Sequence, residues 1–185
     1  MKKKIIVALS VFLFLVFNYS ANAEVSQQDI QRYSAYYSNG MQYLKNQQYS
    51  SAISEFRKVL RFSPYDPTIQ EALANAYMAR AQYYRSTTKE IKKALIDYKS
   101  AYFYAKHWNN VSDNMAILAN SAQKEINDFE KRLNQSQTPA SRLQTAKILR
   151  AQGELPASGY DFQLLKQGQY SEIAYENLAN IYKWN

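Results

Sequence analysis

Residues 40–64 read GMQYLKNQQYSSAISEFRKVLRFSP, and this stretch decides the fold of the chain. Gly40 and Tyr43 are three residues apart and share a face of one helix, whereas Ala52 and Phe56, four residues apart, share a face of the next. A polar break, NQQ, separates the two segments, and a proline closes the second because proline cannot continue a helix. The stretch therefore predicts a helical hairpin in which small residues permit close approach and aromatic residues fill the space beside them.

The spacing in this hairpin resembles the signature of the tetratricopeptide repeat (TPR), W-x2-L-G-x2-Y…A-x3-F…P. Tyr36 stands where the signature has Trp, and Asn39 stands where it has Leu. The remaining positions follow the signature, with Gly40, Tyr43, Ala52, Phe56 and Pro64. The resemblance implies an all-α fold: a right-handed TPR-like α-solenoid of antiparallel helix pairs, whose usual function is to bind proteins or peptides.

Weaker copies of the pattern divide the rest of the chain. Leu73-Ala74-x2-Tyr77 followed by Ala94-x3-Tyr98 indicates a second unit with about eight extra residues, whose two longer helices are expected to meet near residues 85–88. Ser158-x3-Phe162 and Tyr175-x2-Leu178-Ala179-x2-Tyr182 match further parts of the signature. The predicted organisation is a repeat at 33–66, an expanded repeat at 67–106, a long helix within 107–138, and a degenerate repeat with a terminal helix at 139–185.

The first residues have the features of a secretory signal peptide. Three lysines, Lys2–Lys4, precede an apolar run at residues 5–17, and Ala21-Asn22-Ala23 follows as a small-residue cleavage site. We expect residues 1–23 to be removed after Ala23 and the protein to be exported to the periplasm or the extracellular space. The alternative is an uncleaved N-terminal anchor, although the run is shorter than the roughly 20 residues that a spanning helix needs.

Composition favours a helical protein without catalytic chemistry. The chain has no cysteine, one histidine, four glycines and four prolines. Thiol chemistry and disulfides are therefore excluded, most metal sites are disfavoured, and few residues interrupt helices. His107 is the one imidazole base, and it lies at an apparent helix end. Glu125, Asp128 and Glu130 alternate with basic residues, which indicates a solvated face. We expect no enzyme activity, cofactor or metal.

One helical unit has an excess of positive charge. Residues 80–106 contain seven basic and two acidic residues. One interpretation is an ordinary soluble helix face. The other is a contact for an anionic envelope lipid or glycan, which would make the chain a peripheral envelope protein. Nucleic acid is not expected as a partner of an exported protein. The candidate residues of this basic face are Arg85, Lys89, Lys92, Lys93 and Lys99.

The TPR resemblance also implies a concave groove lined by the first helix of each unit. Tyr37 and Met41 stand where the carboxylate-clamp pattern of the family has Lys and Asn, so an apolar or aromatic peptide is the expected ligand. Alternatively, Met41 and Leu44 simply pack against a neighbouring helix. The expected function is an exported, non-catalytic protein-binding scaffold or adaptor in the cell envelope, with its partner and oligomeric state left open. By register, the groove candidates are Tyr37, Met41, Leu44, Lys45, Glu71, Asn75, Met78, Glu176, Asn180 and Lys183.

Overall fold

The computed structural model describes residues 26–106, 112–134 and 138–184. Contacts divide the chain into two units, Met1–Ala35 and Tyr36–Asn185. In the described part of the first unit, the Ser26 hydroxyl accepts a hydrogen bond from the Asp29 amide at 3.0 Å and donates one to the Asp29 carboxylate at 2.7 Å. This capping arrangement begins the first helix.

Over these ranges the protein is all-helical, which confirms the predicted fold class at that level. The described residues contain no strand. The first helix contributes to both units, and the others belong to the second. The helices are α1 (Gln27–Lys45), α2 (Tyr49–Leu60), α3 (Pro67–Tyr83), α4 (Ile91–Lys106), α5 (Asp113–Arg132), α6 (Pro139–Ala151), α7 (Leu155–Gln163) and α8 (Ser171–Trp184).

Side-chain caps and prolines set the helix starts. The Asp66 carboxylate accepts a hydrogen bond from the Thr68 amide at 2.8 Å, and Pro67 occupies the first turn of α3, where its missing N–H costs nothing. The Ser112 hydroxyl caps α5 by accepting from the Met115 amide at 3.2 Å. Local sequence therefore fixes where these two helices begin.

The extra residues of the predicted expanded repeat, 67–106, lie at the end of its first helix and in the turn that follows. A five-residue π-helical turn, Tyr84–Thr88, follows α3 directly, and the reversal comes at Lys89, which has a left-handed backbone with φ of 58°. The predicted meeting point at residues 85–88 thus falls on this turn. The chain therefore reverses here without Gly or Pro.

Two glycines permit close helix contacts. A Cβ atom at Gly40 would lie 2.5 Å from the Phe56 ring, so α1 approaches α2 as the sequence predicts. The same arrangement recurs between α7 and α4, because a Cβ atom at Gly159 would lie 2.3 Å from the Phe103 ring. The sequence analysis did not identify this second contact.

The fourth helix lies at the centre of the second unit. It packs against α3, α5 and α7, and it buries residues on almost every side. Aromatic pairs fill two of these contacts: Tyr104 stacks on Tyr77 with 5.8 Å between ring centroids, and Tyr98 stacks on Phe129 at 5.7 Å. Many of the tyrosines therefore serve the core.

The export prediction is not addressed by this fold. The predicted signal peptide at residues 1–23 lies outside the described residues. None of the helices in the described ranges has the length and apolar character needed to cross a membrane.

Candidate functional site

A cavity of about 1070 Å³ lies between α1, α3 and α5. We call it the groove. Three of its apolar side chains, Tyr37, Met41 and Leu44, come from successive turns of α1, and Met115 comes from α5. Met41 is 43% exposed, so part of its side chain is accessible to a ligand in the cavity. The full lining of the groove is Tyr37, Met41, Leu44, Tyr49, Pro67, Thr68, Glu71, Ala72, Asn75, Ala79, Ser112 and Met115.

Half of the predicted groove residues line this cavity. Tyr37, Met41, Leu44, Glu71 and Asn75 meet there, although they come from two helices that lie far apart in the sequence. The remaining candidates lie elsewhere. Lys45 ends α1 and is exposed, and three others lie on α8 without lining the groove: Glu176, Asn180 and Lys183.

The placement of Met78 needs correction. Its side chain is only 7% exposed and belongs to the core, so it does not present a groove surface. The sequence prediction placed it one turn after Asn75 on the same face. The groove face instead continues from Asn75 to Ala79, four residues later. A helix rotates each position by about 100°, so 78 and 79 face different neighbours.

The sequence analysis missed several groove residues. Thr68, Ala72 and Ala79 repeat at intervals of four and seven, on the same face of α3 as Glu71 and Asn75. That helical spacing was a usable signal. Met115 and Ser112 had no such signal, because the segment around them lacks the repeat pattern and no register assigned them to the groove.

Three of the polar side chains in the groove form hydrogen bonds within the protein. The Asn75 amide donates to the Glu71 backbone carbonyl at 3.0 Å, which leaves its second N–H and its carbonyl oxygen for another partner. The Glu71 carboxylate accepts from the Ser112 hydroxyl at 3.3 Å and from the Asn114 amide at 3.4 Å. Glu71 is the one charged residue of the lining. The groove is thus mostly apolar with a single negative group.

The predicted basic face is largely neutralised. Arg85 forms an ion pair with Glu125 at 2.6 Å, and Lys93 pairs with Glu90, the residue that precedes α4. Lys89 and Lys92 are exposed. These pairings reduce the local field that the sequence suggested, because each nearby carboxylate offsets one positive charge.

Lys99 is a correction to the basic face. Its side chain is 2% exposed, and its ammonium lies 2.9 Å from Glu130 and 3.0 Å from Asp161. Arg142 joins the group through a bond to Asp161 at 2.8 Å. We call these four residues the buried ion cluster. Glu130 is 4% exposed, so assigning it to a solvated face was also wrong.

The buried ion cluster connects four helices with balanced charge. Lys99 lies on α4, Glu130 on α5, Arg142 on α6 and Asp161 on α7. Burial raises the pKa of the Asp161 carboxyl, and the neighbouring Lys99 and Arg142 oppose that rise. Lys99 also lies over the Tyr160 ring at 5.4 Å. These contacts join four helices, as expected of a structural network.

A second buried pair joins α3 to α4. The Arg80 guanidinium donates twice to the Asp97 carboxylate, at 2.7 and 2.8 Å, and once to the Ser50 hydroxyl at 3.0 Å. Burial raises the pKa of Asp97, with Arg80 acting in the opposite direction. Arg80 is one of the seven basic residues counted at 80–106, but its guanidinium is paired with Asp97 within the fold.

Metal binding has no candidate site among the described residues. Within these ranges no three His, Cys, Asp or Glu side chains are placed to hold a metal ion. His107 lies outside the described residues. Comparison of the chain with protein-family models, curated proteins and solved structures gives no significant match. The TPR resemblance therefore depends on the sequence pattern alone.

Proposed function

We propose that this protein is an exported, non-catalytic scaffold or adaptor that binds a segment of a partner protein in the groove. The proposal includes the finer architecture, a right-handed TPR-like solenoid of antiparallel helix pairs, because such a stack places the first helices of successive units along one concave surface. Export to the periplasm or beyond rests on the pattern of residues 1–23.

The observation that supports this function is the composition of the groove. Its five sequence-predicted residues were chosen from repeat register alone, and they line one cavity. The volume is at the upper end of the roughly 300–1,000 Å³ usual for ligand sites. Exposed Met41, together with tyrosines on both sides of it, offers an adaptable apolar surface suited to peptide side chains.

Charge further restricts the ligand. Glu71 introduces one negative charge into an otherwise uncharged lining, and Asn75 retains an N–H and a carbonyl oxygen that suit a peptide backbone. The best-matched ligand is a peptide with aromatic or aliphatic side chains and one lysine or arginine placed near Glu71. An acidic C-terminal peptide, which a carboxylate clamp would bind, lacks its basic partners here.

Binding to anionic lipid or glycan through the basic face remains the alternative function. Its support is smaller than the sequence suggested, because Lys99 is buried and two of the other four candidates have carboxylate partners. We therefore give the groove precedence.

Fluorescence anisotropy with defined peptides tests the groove. The probes are three labelled peptides of equal length: one aromatic with a single arginine, the same peptide with glutamate in place of arginine, and a polar scramble. We expect the first to bind most tightly. Met41→Glu should weaken its binding more than tenfold, because a charge would be desolvated in an apolar contact.

Two further variants separate the groove from a general surface effect. Ile117→Glu is the matched control, since Ile117 is 63% exposed on α5 and does not line the groove, and it should leave affinity unchanged. Glu71→Gln should lower affinity for the arginine peptide by about fivefold or less, as expected for one exposed ion pair. Equal loss in Met41→Glu and Ile117→Glu would contradict the proposal.

A further inference from the structure

A second cavity, of about 510 Å³, lies on α2 and α3 beside the turn at Gly153 and Glu154. Its lining is predominantly polar, unlike that of the groove. The two cavities share no lining residue. Gly153 has a left-handed φ of 81° and no side chain, so the turn leaves the cavity open at this edge. We call this cavity the arginine pocket.

One face of α2 supplies most of the polar groups. Ser50, Ser54, Arg57 and Arg61 recur at intervals of four, three and four residues, so they form one stripe along the helix, and all four are exposed. Two hydroxyl groups and two guanidinium groups therefore face the same opening. Such a stripe is a set of hydrogen-bond donors at regular spacing.

The charges of the pocket are not all satisfied by the protein. Lys58 pairs with Glu55, and Arg80 is held by Asp97. Among the described residues, neither Arg57 nor Arg61 forms an ion pair. The lining contains one acidic residue, Glu154, against four basic ones.

We propose that the arginine pocket binds a phosphate-bearing ligand, with Arg57 and Arg61 as its principal contacts. Guanidinium groups present planar pairs of N–H donors that match phosphate oxygens. Side chains four residues apart on a helix have Cβ atoms about 6 Å apart, so both forks reach one phosphomonoester or diphosphate group. Ser54 supplies a further hydroxyl donor from the same stripe.

The pocket is a different site from both sequence-predicted ones. It shares no residue with the groove or with the candidate basic face, Arg85, Lys89, Lys92, Lys93 and Lys99. The sequence analysis passed over Arg57 and Arg61 because it searched for an excess of charge along the chain. Their stretch is not the most basic, yet the fold leaves these two cations without acidic partners.

Isothermal titration calorimetry with pyrophosphate at constant ionic strength tests the proposal. We expect the wild-type protein to bind, and the double variant Arg57→Gln/Arg61→Gln to bind at least tenfold more weakly. Lys124→Gln/Lys131→Gln is the matched control, since it removes the same charge from exposed sites on α5 outside the pocket, the groove and the basic face, and its affinity should stay within about twofold of wild type. Circular dichroism melting verifies that both variants fold.

Co-sedimentation with vesicles distinguishes the two sources of phosphate. Phosphatidylcholine vesicles with and without phosphatidic acid provide a lipid headgroup, and pyrophosphate provides a free one. Binding to either probe that Arg57→Gln/Arg61→Gln removes and Lys124→Gln/Lys131→Gln preserves supports the pocket and identifies the source. The proposal is overturned if the wild type binds neither probe, or if the two double variants lose the same affinity. Since the groove peptides are assayed separately, failure here leaves the proposed function standing.

Discussion

Asp161→Asn is the substitution that tests the buried ion cluster most sharply. The carboxylate is fully buried, and it accepts hydrogen bonds from Lys99 at 3.0 and 3.1 Å and from Arg142 at 2.8 Å. Asparagine keeps the shape but removes the charge, so two cations are left with Glu130 alone. Breaking a buried pair in this way costs about 3–5 kcal/mol, because an uncompensated charge stays in the core.

The assay is unfolding by urea and by heat, followed by circular dichroism. For a chain of this size, each kcal/mol lowers the melting temperature by about 2–4 °C, so the expected fall is about 6–20 °C. Asp128→Asn is the matched control, since Asp128 forms an exposed pair with Arg132 at 2.8 Å, and surface pairs contribute about 1 kcal/mol or less.

A double-mutant cycle completes the test. Lys99→Met together with Asp161→Asn should cost less than the sum of the two single changes, because the pair is removed as a unit. The reasoning is refuted if Asp161→Asn costs no more than Asp128→Asn, or if the two changes at Lys99 and Asp161 are additive.

Three other outcomes follow from the packing and the tyrosines. Gly40→Ala should destabilise by about 1–3 kcal/mol, because its Cβ would meet the Phe56 ring at 2.5 Å, and Phe56→Leu should restore part of the loss in chemical denaturation. Ala52→Leu should cost a similar amount in the same assay, since Ala52 is fully buried, and an unchanged midpoint would refute the repeat register. Burial raises the pKa of Tyr77 and of Tyr160 to about 12. Because the unfolded chain releases these protons near pH 10, stability should fall between pH 10 and 12 by about 1.4 kcal/mol per pH unit for each tyrosine. Absorbance titration at alkaline pH should detect tyrosines that deprotonate well above pH 10, and Tyr77→Phe should remove one of them.

Local signals were sufficient to predict the helices. Gly40, Ala52 and Phe56 lie at helical spacing, and their predicted close packing agrees with the structure. Pro67 begins α3 because proline suits a first turn. These features depend on residues within one or two helical turns of each other, so they can be predicted from the sequence alone.

Contacts between residues that are distant in the sequence could not be predicted in the same way. Lys99 was placed on a basic face because its neighbours in sequence are basic, yet its partners Glu130 and Asp161 lie 31 and 62 positions away on other helices. Nothing in the spacing of a lysine indicates a buried partner of that kind. Gly159 escaped notice for the same reason, since Phe103 belongs to a different helix.

The groove was predicted in part because register carries over between similar repeats. Tyr37 and Asn75, which that rule selected, both line this cavity, whereas Met115 belongs to a helix without the repeat signature. The residues on α8 were assigned by the same rule, but they do not line this cavity. Register thus identifies faces of helices, and packing decides which faces meet.

The most direct test of the central claim is to locate a bound peptide. An aromatic peptide with one arginine and a photo-reactive phenylalanine is crosslinked to the wild-type protein, and the attached residues are identified by mass spectrometry. We predict crosslinks on α1, α3 and α5 around Met41, Asn75 and Met115, which an excess of unlabelled peptide suppresses. Crosslinks concentrated on α8 or in the arginine pocket, with α1 unmodified, would contradict the claim.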